Sequence, residues 1–582
     1  MTNLLHTHRS ALQRLRLLVN RQLGAGDFFW HAWATANVRE RNLPIVFHME
    51  PGPQEQGSGE PVGLSLDDLR LRVIRYAHWY RGQGVGPKSH VGVYTRAGVE
   101  NLLHYIAVTS LGAVPVHANA AMPADTAADY FRRTRVTVLV GDRDLVQGCT
   151  AVWKETAPQD TPAVLVEDTV LLRDSAPKPP HRLEGFPYRH ADADLVLISH
   201  SSGTTGRPKA PVFTHRSFFA GRWDRLFAFP SHRTDKLLSV FPHSHSAGLA
   251  HLSMAILLGL PTLLLDDVSG PSVVRAVNTF RPTMVIGFPI ALAGLRTADI
   301  TPEAARTVHT WCGMGDASHE RHIRPLIALG SRATRGGRLP GSDYLDGLGS
   351  SEMGMVLFEQ VHNAEIGIHR RLVGRPTKVV SSAVVLDEAG RELPAGQPGM
   401  LGVRAPSVTP GYWDDPGLTE RSMRDGHFLT GDIVEYDEQG LWYHLDRVPD
   451  VINSGTGPVY SLPLEEVVLL ETGALDCAVF AVDDPDLPGI SCPAVVVLPE
   501  DIEGGLAAPP PGELLARCNG ALRRAGLAEL RALVVATERA GIPVGPTGKV
   551  LKRRLRERHA RLLASDATPG PDTAVVPERT RA

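Results

Sequence analysis

Short apolar runs alternate along the chain with longer segments in which apolar residues follow a helical spacing. Short runs rich in Val, Ile and Leu are typical of buried strands. We predict such strands at 91–94, 137–140, 195–198 and 284–286. In 69–79 and 99–111, apolar residues recur at steps of three and four, which places them on one face of a helix. Strands that alternate with helices predict an α/β fold in which helices cover mostly parallel sheets.

The balance of charges excludes one class of partner. The chain of 582 residues carries 60 Lys and Arg against 63 Asp and Glu, for a net charge of −3. Proteins that bind the phosphate backbone of nucleic acids carry an excess of Lys and Arg over Asp and Glu, so we expect no nucleic-acid partner. The length suffices for a large enzyme core with a smaller appendage. We expect small molecules as partners, and the sequence leaves the oligomeric state open.

The cysteines and the longest apolar run indicate a cellular setting. Five scattered cysteines are an odd number and fit neither a disulfide framework nor a metal quartet, so we expect a cytoplasmic protein. The longest apolar run, 255–265, is interrupted by Gly259 and Pro261. It is far shorter than the roughly 20 residues that span a bilayer. We therefore expect no membrane span.

A loop rich in glycine and hydroxyl residues directly follows the predicted strand at 195–198. In 199–209, backbone N–H groups and hydroxyls can converge on phosphate oxygens, and Lys209 adds a positive charge. The pattern differs from the P-loop of NTPases because no Lys-Ser/Thr pair follows the second glycine. A plain surface turn is the alternative, and eleven ordered positions argue against it. The expected phosphate-binding residues are Ser201, Ser202, Gly203, Thr204, Thr205 and Gly206.

This loop resembles the signature of the adenylate-forming superfamily, which comprises acyl-CoA synthetases, peptide-synthetase adenylation domains and luciferases. Their loop reads Ser-Gly-Thr-Thr-Gly-x-Pro-Lys-Gly, and here Ala210 replaces the last glycine. The resemblance implies ATP as cosubstrate and a large N-terminal AMP-binding domain of stacked sheets flanked by helices, over 1–447. A small α+β C-terminal domain over 448–560 is then joined at a hinge. The remaining residues, 561–582, are polar and rich in proline, and we expect a disordered tail.

Two further segments match the superfamily in its order. The first contains Gly349, Ser350, Ser351 and Glu352, and the resemblance places its carboxylate on Mg²⁺ beside the nucleotide phosphates. A charge at a helix N-terminus is the alternative for this Glu. The second resembles the segment of benzoate-CoA ligases that lies against the adenine ring, here called the adenine wall. By motif, the chain is therefore most similar to the aromatic-acid ligases of the superfamily. The wall residues are Gly315, Asp316 and Ala317.

The C-terminal third supplies three more matching residues. Asp432, in a Thr-Gly-Asp segment, is implied to hold both ribose hydroxyls, which one carboxylate can do bidentately. Arg447 matches the arginine that contacts ribose or phosphate just before the hinge. Lys549 matches the adenylation lysine, in a segment that is one position shorter than usual. We interpret the arginines that follow it as a solvated helix face.

These groups fit the transfer of a carboxylate to the α-phosphorus of ATP. Lys209, Lys549 and Mg²⁺ on Glu352 would neutralise the phosphate charge, and no protein nucleophile is required. A rival from another class is a nucleotide-binding sensor that has lost catalysis. The presence of both lysines argues against that rival.

The resemblance places the acid pocket between four segments. No carboxylate lies between Phe241 and Gly248 to pair with an α-ammonium, so we expect a small aromatic or arylacrylic acid rather than an amino acid. His245 occupies the motif histidine of the superfamily and joins the catalytic candidates. For either histidine of this segment, a hydrogen-bonded core histidine is the alternative. The predicted pocket residues are His243, His245, Ser246, Gly287, Phe288, Pro289, Met314 and Leu348.

Two departures from the superfamily concern the acceptor, which is CoA by default. Pro449 stands where the hinge normally has Asp or Lys, and proline fixes φ near about −65°. Thr456 interrupts a glycine pair that serves the pantetheine tunnel. An alternative therefore stays open, in which the activated species goes to a non-thiol acceptor. Some actinobacterial members of the superfamily activate nitrite and pass it to an arylamine in secondary metabolism, which forms a diazo group.

Overall fold

A computed structural model of the protein describes most of the chain. The described residues are 7–19, 23–49, 59–157, 159, 164–166, 183–201, 207–218, 220–228, 233–334, 337–367, 371–499, 509–545, 548–564 and 570–576.

The helices are α1 (Ala11–Val19), α2 (Phe28–Thr35), α3 (Val38–Arg41), α4 (Leu66–Gly82), α5 (Gly98–Thr109), α6 (Ala124–Arg133), α7 (Arg143–Thr156), α8 (Arg222–Ala228), α9 (Ser246–Leu258), α10 (Gly270–Phe280), α11 (Pro289–Ala293), α12 (Pro302–Ala305), α13 (Glu320–Ile327), α14 (Pro416–Arg421), α15 (Ser461–Thr472), α16 (Pro511–Arg524) and α17 (Lys552–Arg558).

The strands are β1 (Pro44–Met49), β2 (Pro61–Ser65), β3 (His90–Tyr94), β4 (Val114–His117), β5 (Val138–Gly141), β6 (Val164–Val166), β7 (Leu195–Ile198), β8 (Val212–Thr214), β9 (Leu237–Val240), β10 (Thr262–Leu264), β11 (Met284–Gly287), β12 (Thr310–Met314), β13 (Ser331–Thr334), β14 (Gly337–Pro340), β15 (Asp343–Gly349), β16 (Val356–His362), β17 (Leu372–Pro376), β18 (Ser382–Leu386), β19 (Gly399–Arg404), β20 (Met423–Arg424), β21 (His427–Tyr436), β22 (Trp442–Arg447), β23 (Ile452–Ser454), β24 (Gly457–Val459), β25 (Asp476–Asp483), β26 (Ser491–Leu498), β27 (Ala532–Val535) and β28 (Thr573–Val575).

The predicted α/β class and its main elements are confirmed. The four predicted strands correspond to β3, β5, β7 and β11, and the two predicted helices lie within or largely overlap α4 and α5. Helix α4 begins at a capping box, in which Ser65 accepts from the backbone N–H of Asp68 and the Asp68 carboxylate accepts from the N–H of Ser65. Local capping and a buried apolar face therefore set this helix.

The largest sheet joins a parallel half to an antiparallel half. Its order is β18-β19-β21-β22-β17-β16-β15-β12-β11-β9-β10-β1-β2, and β20 pairs with β21 at the side. Strands β1, β10, β9, β11, β12 and β15 run parallel to one another, and pairing is antiparallel from β16 onward and at the edge strand β2. The carboxyl ends of β12 and β15 lead into the adenine-wall and Glu352 segments. This edge therefore brings two predicted site segments together.

A second sheet, ordered β6-β5-β3-β4-β7-β8, packs over the first through buried helices. All residues of α5 are buried, and the helix contacts β3 and β4 of this sheet and β1 of the large one. A helix that is buried on all sides is what a position between two sheets requires. The predicted stacked sheets are thus present, and β7 carries the phosphate loop at its carboxyl end.

Strand β22 ends at Arg447, and the strands after it form separate sheets. β23 and β24 form a hairpin, and β25 to β28 form a sheet with apolar clusters on both faces. Helices α15 and α16 pack on one face of that sheet, and α17 contacts β25. The domain boundary predicted at 447/448 stays a prediction, and this layout is compatible with it.

The expectation of a disordered tail over 561–582 is wrong for part of that segment. Thr573–Val575 form β28, which pairs antiparallel with β27, and Ala574 packs against the apolar cluster beside α16. Three residues give too little sequence pattern to predict a strand, and the neighbouring strand supplies its partner. The predicted end of the C-terminal domain at residue 560 therefore lies too early.

In the described part of the chain, no helix combines the length and apolar character needed to cross a bilayer.

Candidate active site

The phosphate loop is closed at its base by a backbone bridge. Ser201 and Lys209 exchange two backbone hydrogen bonds, each 3.2 Å long, so the chain leaves β7 and returns beside it. The central residues of the predicted loop, Ser202, Gly203, Thr204, Thr205 and Gly206, lie outside the described residues. Their roles stay predictions.

Glu352 lies against this base. Its carboxylate accepts a hydrogen bond from Ser201 Oγ at 2.6 Å and faces the hydroxyl of Tyr412 at 3.4 Å. The Lys209 ammonium lies 5.6 Å from the Tyr412 ring centroid. Within the described ranges, no group of three or more His, Cys, Asp and Glu side chains is arranged to hold a metal alone. One carboxylate with hydroxyls around it fits Mg²⁺, which binds mainly through phosphates and water.

His245 is held as a neutral imidazole with a defined tautomer. Its Nδ1 accepts from the N–H of Ala247 at 3.1 Å, which caps α9, and its Nε2 lies 2.9 Å from Ser351 Oγ. Burial, with His200 and Lys549 nearby, lowers the pKa of His245 to about 3. Because Nδ1 accepts, the proton is on Nε2, which donates to Ser351.

The predicted adenine wall lines a cleft of about 590 Å³ between the large sheet and the C-terminal part. Gly315 has φ +89°, where a side chain would be strained and would also meet the ring of Phe288. The wall therefore requires glycine at this position. Predicted residues that line the cleft are Ser201, Pro289, Gly315, Asp316, Ala317, Leu348, Gly349, Ser350, Asp432, Arg447 and Lys549.

Asp432 is a buried, charged carboxylate. Arg447 Nε lies 3.0 Å and His444 Nε2 3.6 Å from the same oxygen, Oδ1. The pairing follows from the register, since Asp432 in β21 stands opposite Arg447 in β22. Burial acts to raise the pKa of Asp432, but Arg447, His444 and Lys549 hold it well below its usual range. The carboxylate is thus ionised and able to accept from two hydroxyls.

Lys549 reaches the same cavity from the C-terminal part. A turn closed by Gly545 and Gly548 presents it, with Gly548 at φ +79°. Burial lowers the pKa of Lys549, and Arg447 also lowers it, while Asp316, Asp432 and Glu352 counteract them. The structure therefore brings the two predicted lysines and the two predicted carboxylates to one site.

A smaller cavity of about 180 Å³ leads inward from this site. Of the predicted pocket residues, His245, Ser246, Phe288 and Met314 line it, together with Glu352 and Lys549. His251, Met314 and Met355 also line an apolar cavity of about 290 Å³. The smaller cavity, called the polar chamber for its His, Ser, Glu and Lys side chains, therefore adjoins an apolar pocket of the size of a single-ring ligand site.

Two predicted pocket residues lie elsewhere. His243 Nε2 lies 3.1 Å from Ser239 Oγ, and its ring packs against Gly98, outside the lining of these cavities. It is therefore the hydrogen-bonded core histidine of the alternative interpretation. Gly287 lies in β11, where a side chain would meet Val240 of the neighbouring strand. Its role is close strand packing.

Sequence reasoning missed four residues of the site: Tyr412, His444, His200 and His251. Tyr412 contacts Glu352, and His444 supports Asp432 from the neighbouring strand. The His200 ring centroid lies 6.0 Å from that of His245. Of these four, only His200 could have been found from the sequence, because it stands inside the phosphate loop.

Comparisons with known proteins agree with this geometry. The family described as AMP-binding enzyme matches residues 45–413, which is more than half of the chain. The chain belongs to the AMP-binding enzyme family. A curated relative, a 3-aminoavenalumate diazotase from Streptomyces sp, is 34% identical over 573 residues, covering 95% of this chain and 98% of that protein. A feruloyl-CoA synthase from Amycolatopsis sp is 27% identical over 508 residues, covering 85% and 94%.

Solved structures of this AMP-binding fold confirm the architecture. An anthranilate CoA ligase in complex with anthranoyl-AMP superposes with a TM-score of 0.76 at 18% identity, covering 93% of this chain and 98% of that one. A benzoate CoA ligase from Burkholderia xenovorans LB400 gives 0.73 at 19% identity, covering 92% and 99%. The AMP-binding protein described here is an adenylate-forming ligase that uses ATP, which confirms the assignment made from the motifs.

Proposed function

We propose that this adenylate-forming enzyme activates nitrite with ATP and transfers the nitrosyl group to an arylamine. The observation that carries the proposal is the match to a diazotase at 34% identity over almost the full length of both chains. The matches to CoA ligases are 26–27% identical over shorter segments.

The proposed reaction balances in three steps. A nitrite oxygen attacks the α-phosphorus of ATP, the bond to the β-phosphate oxygen breaks, and pyrophosphate leaves. The amine lone pair then attacks the nitrosyl nitrogen, the N–O bond to AMP breaks, and the amine loses a proton. The resulting N-nitrosamine shifts its second N–H proton to oxygen, takes up a proton and loses water to give the diazonium ion.

The first step needs positive charge around the phosphates and a fixed α-phosphate. Lys209 and Lys549 would stabilise the charge that develops there, while Asp432 with Arg447 would hold the ribose. We assign Mg²⁺ to Glu352, beside Ser201, where it would shield the pyrophosphate leaving group. The two lysines, Asp432 and Arg447 orient the reactants, and no protein nucleophile is involved.

The polar chamber suits a small anion. The hydroxyl of Ser246 is a donor at its wall and Lys549 supplies charge from the opposite domain, while His245 Nε2–H donates to Ser351 Oγ beside them. A planar anion of three atoms can accept from several of these donors at once. Because His245 is neutral at physiological pH, its donation does not depend on titration.

The apolar cavity of about 290 Å³ would hold the ring of the arylamine. Its walls include Met254, Leu258, Ile286, Met314 and Met355, whose apolar surface favours an aromatic ring. An amine on a ring in this cavity would lie on the side of His251, Met314 and Met355, which also line the chamber. The ring is thus kept in the apolar cavity and the amine beside the activated nitrite.

We also assign the hinge to the 3-10 turn Val448–Asp450 and the domain boundary to 447/448. Pro449 in this turn restricts rotation of the C-terminal domain through its fixed φ. Asp450 accepts from Arg556 at 3.0 Å, which ties the turn to α17. An acceptor that binds in the apolar cavity needs no rotation of the C-terminal domain to a second conformation. Restricted rotation therefore favours such an acceptor.

An acyl-CoA ligase that activates an aromatic or arylacrylic acid is the second candidate. The same apolar cavity supports it, because an aromatic acid could place its ring there and its carboxylate in the chamber. The likeness to feruloyl-CoA synthase also supports it. CoA would then be the acceptor.

One experiment separates the two candidates. The protein is incubated with ATP and Mg²⁺, once with nitrite plus an arylamine panel and once with aromatic acids plus CoA. We expect nitrite-dependent AMP release with diazo coupling products and little acyl-CoA. Efficient acyl-CoA formation without nitrite-dependent AMP release would overturn the proposal in favour of the second candidate.

A further inference from the structure

A separate cavity of about 620 Å³ lies between the C-terminal end of α6, helix α7 and the turn that precedes α14. In the described part of the chain, it shares no lining residue with the nucleotide cleft, the polar chamber or the apolar cavity. The proposed reaction therefore leaves it without a role. The residues that line it are Arg132, Arg133, Arg135, Val136, Trp153, Trp413, Asp414 and Asp415.

The wall of this cavity is short of hydrogen-bond acceptors. The indole N–H groups of Trp153 and Trp413 are buried, and neither has an acceptor among the described residues. Arginine and tryptophan side chains can only donate. The two carboxylates of the wall are engaged, since Asp414 accepts from Arg135 at 2.8 Å and Asp415 caps α14. A ligand with several acceptor oxygens would supply what the wall lacks.

Positive charge also exceeds negative charge beside the cavity. One carboxylate, that of Asp129, accepts from Arg132 Nη2 at 3.1 Å, from Arg133 Nε at 2.8 Å and from Arg207 Nη2 at 2.6 Å. Even with Asp415 counted, these side chains sum to one positive charge. Because the planar fork of a guanidinium fits two oxygens of a phosphate, the missing ligand is best matched by a phosphate group.

The same cluster supports the chain on both sides of Lys209. Arg133 Nη2 donates to the carbonyl of Pro208 at 2.9 Å, and the backbone N–H of Trp413 donates to the carbonyl of Ala210 at 2.8 Å. A ligand that draws Arg133 towards the cavity would weaken its contact with Pro208. The position of the lysine in the active site would then change.

We propose that this cavity is an effector site for a phosphate monoester with an apolar body, and that its occupation slows adenylation by displacing the support of Lys209. The phosphate would lie on Arg132, Arg133 and Arg135. The cavity is larger than a bare phosphate ion needs, and Val136 and the indole rings offer apolar surface to the remainder of the ligand. The site does not depend on which acid the enzyme activates.

Binding is measured by calorimetric titration with phenyl phosphate as the probe. An ATP analogue with a methylene group between the α- and β-phosphates fills the nucleotide cleft and cannot react. We expect phenyl phosphate to bind about 10- to 100-fold more weakly to the double variant Arg132→Gln/Arg135→Gln, as for lost charge-assisted hydrogen bonds. Benzyl alcohol, which has the ring without the phosphate, should not bind detectably. Equal affinity of phenyl phosphate for the double variant and the unmodified protein overturns the site.

Two further variants sharpen the binding test. Trp153→Phe removes a buried N–H donor and keeps an aromatic ring, so it should weaken binding of phenyl phosphate several-fold. Unchanged affinity would contradict the assignment of this N–H to the ligand. Arg306→Gln is the matched control for the loss of an exposed arginine, since Arg306 is 69% exposed and pairs with Glu303 away from the cavity. It should keep the full affinity.

The coupling to Lys209 is measured by exchange of labelled pyrophosphate into ATP, with the acid that supports the fastest exchange. Saturating phenyl phosphate should lower the maximal rate of the unmodified protein several-fold and leave the KM for ATP nearly unchanged. The double variant should exchange at the unmodified rate and resist the inhibitor. Inhibition that only raises the KM for ATP, equally in both proteins, would place phenyl phosphate in the nucleotide cleft and overturn the proposal. Failure of nitrite as the acid would contradict the proposed function alone.

Discussion

Nδ1 of His319 lies 2.9 Å from Oε2 of Glu466, and this contact joins the nucleotide side of the site to helix α15. The other oxygen of Glu466 accepts from the backbone N–H of Glu320 at 2.8 Å. His319 follows the adenine wall by two residues, so the wall and the docking contact belong to one segment. The C-terminal part that carries Lys549 is therefore anchored directly beside the predicted adenosine site.

We expect Glu466→Gln to slow adenylate formation by about tenfold, because the loss of a charge-assisted contact loosens the docking that places Lys549. The measurement is exchange of labelled pyrophosphate into ATP. Glu471→Gln is the matched control on the same helix, since Glu471 pairs with Arg517 within the C-terminal part. An equal loss in both variants would show that α15 itself is damaged.

The same contact predicts an acid limit of stability. Burial acts to raise the pKa of Glu466, but the hydrogen bond and charge of His319, the charge of Arg371 and the N–H of Glu320 lower it. A carboxylate whose folded pKa lies below its unfolded value stabilises the fold above the unfolded pKa of about 4.3. The stabilisation is lost as the pH falls through the lowered folded value. The melting temperature of the unmodified protein should therefore fall more steeply below about pH 4 than that of Glu466→Gln.

Lys549→Ala should abolish adenylate formation and leave ATP binding nearly intact, because the lysine meets charge that develops in the transition state. Asp432→Asn should instead weaken ATP binding itself, since a neutral amide pairs poorly with Arg447 and the ribose hydroxyls. Calorimetric titration with ATP and pyrophosphate exchange measure the two effects. Equal loss of ATP binding in both variants would contradict the division of roles.

The residues predicted for the nucleotide side of the site stand in short motifs, because binding a phosphate or ribose requires a compact local pattern. Gly315, Asp432 and Lys549 are far apart in the chain, yet each stands in such a pattern, and the structure brings them together. Contacts such as that of His319 with Glu466 have no such sequence pattern. Neither residue stands in a recognisable motif, and the two come from distant segments of the chain.

His243 and His245 show the limit of a motif within one segment. They are two residues apart, but His245 caps α9 and faces Ser351, whereas His243 faces Ser239 in the core. The direction of each side chain depends on where α9 begins and on the strands below it.

Glu352→Gln should raise the Mg²⁺ concentration needed for half-maximal adenylation by about tenfold or more, because a neutral amide is a poorer ligand for a hard cation. The hydrogen bond from Ser201 Oγ at 2.6 Å can persist to the amide oxygen, so the loop base should keep its shape. Pyrophosphate exchange across a Mg²⁺ series gives the measurement. An unchanged Mg²⁺ dependence with a lower maximal rate would assign Glu352 to loop structure alone.

Pro449→Asp tests whether the hinge selects the acceptor. Proline fixes φ in the turn Val448–Asp450, and an aspartate there would release that dihedral. We expect acyl-CoA formation from aromatic acids and CoA to rise at least several-fold relative to diazo formation from nitrite and an arylamine. Pro394→Asp, in the exposed turn between β18 and β19, is the control and should leave this ratio where it is. The opposite outcome is rapid acyl-CoA formation by the unmodified protein, with no acceleration in Pro449→Asp. It would show that the proline does not restrict transfer and would favour CoA as the acceptor.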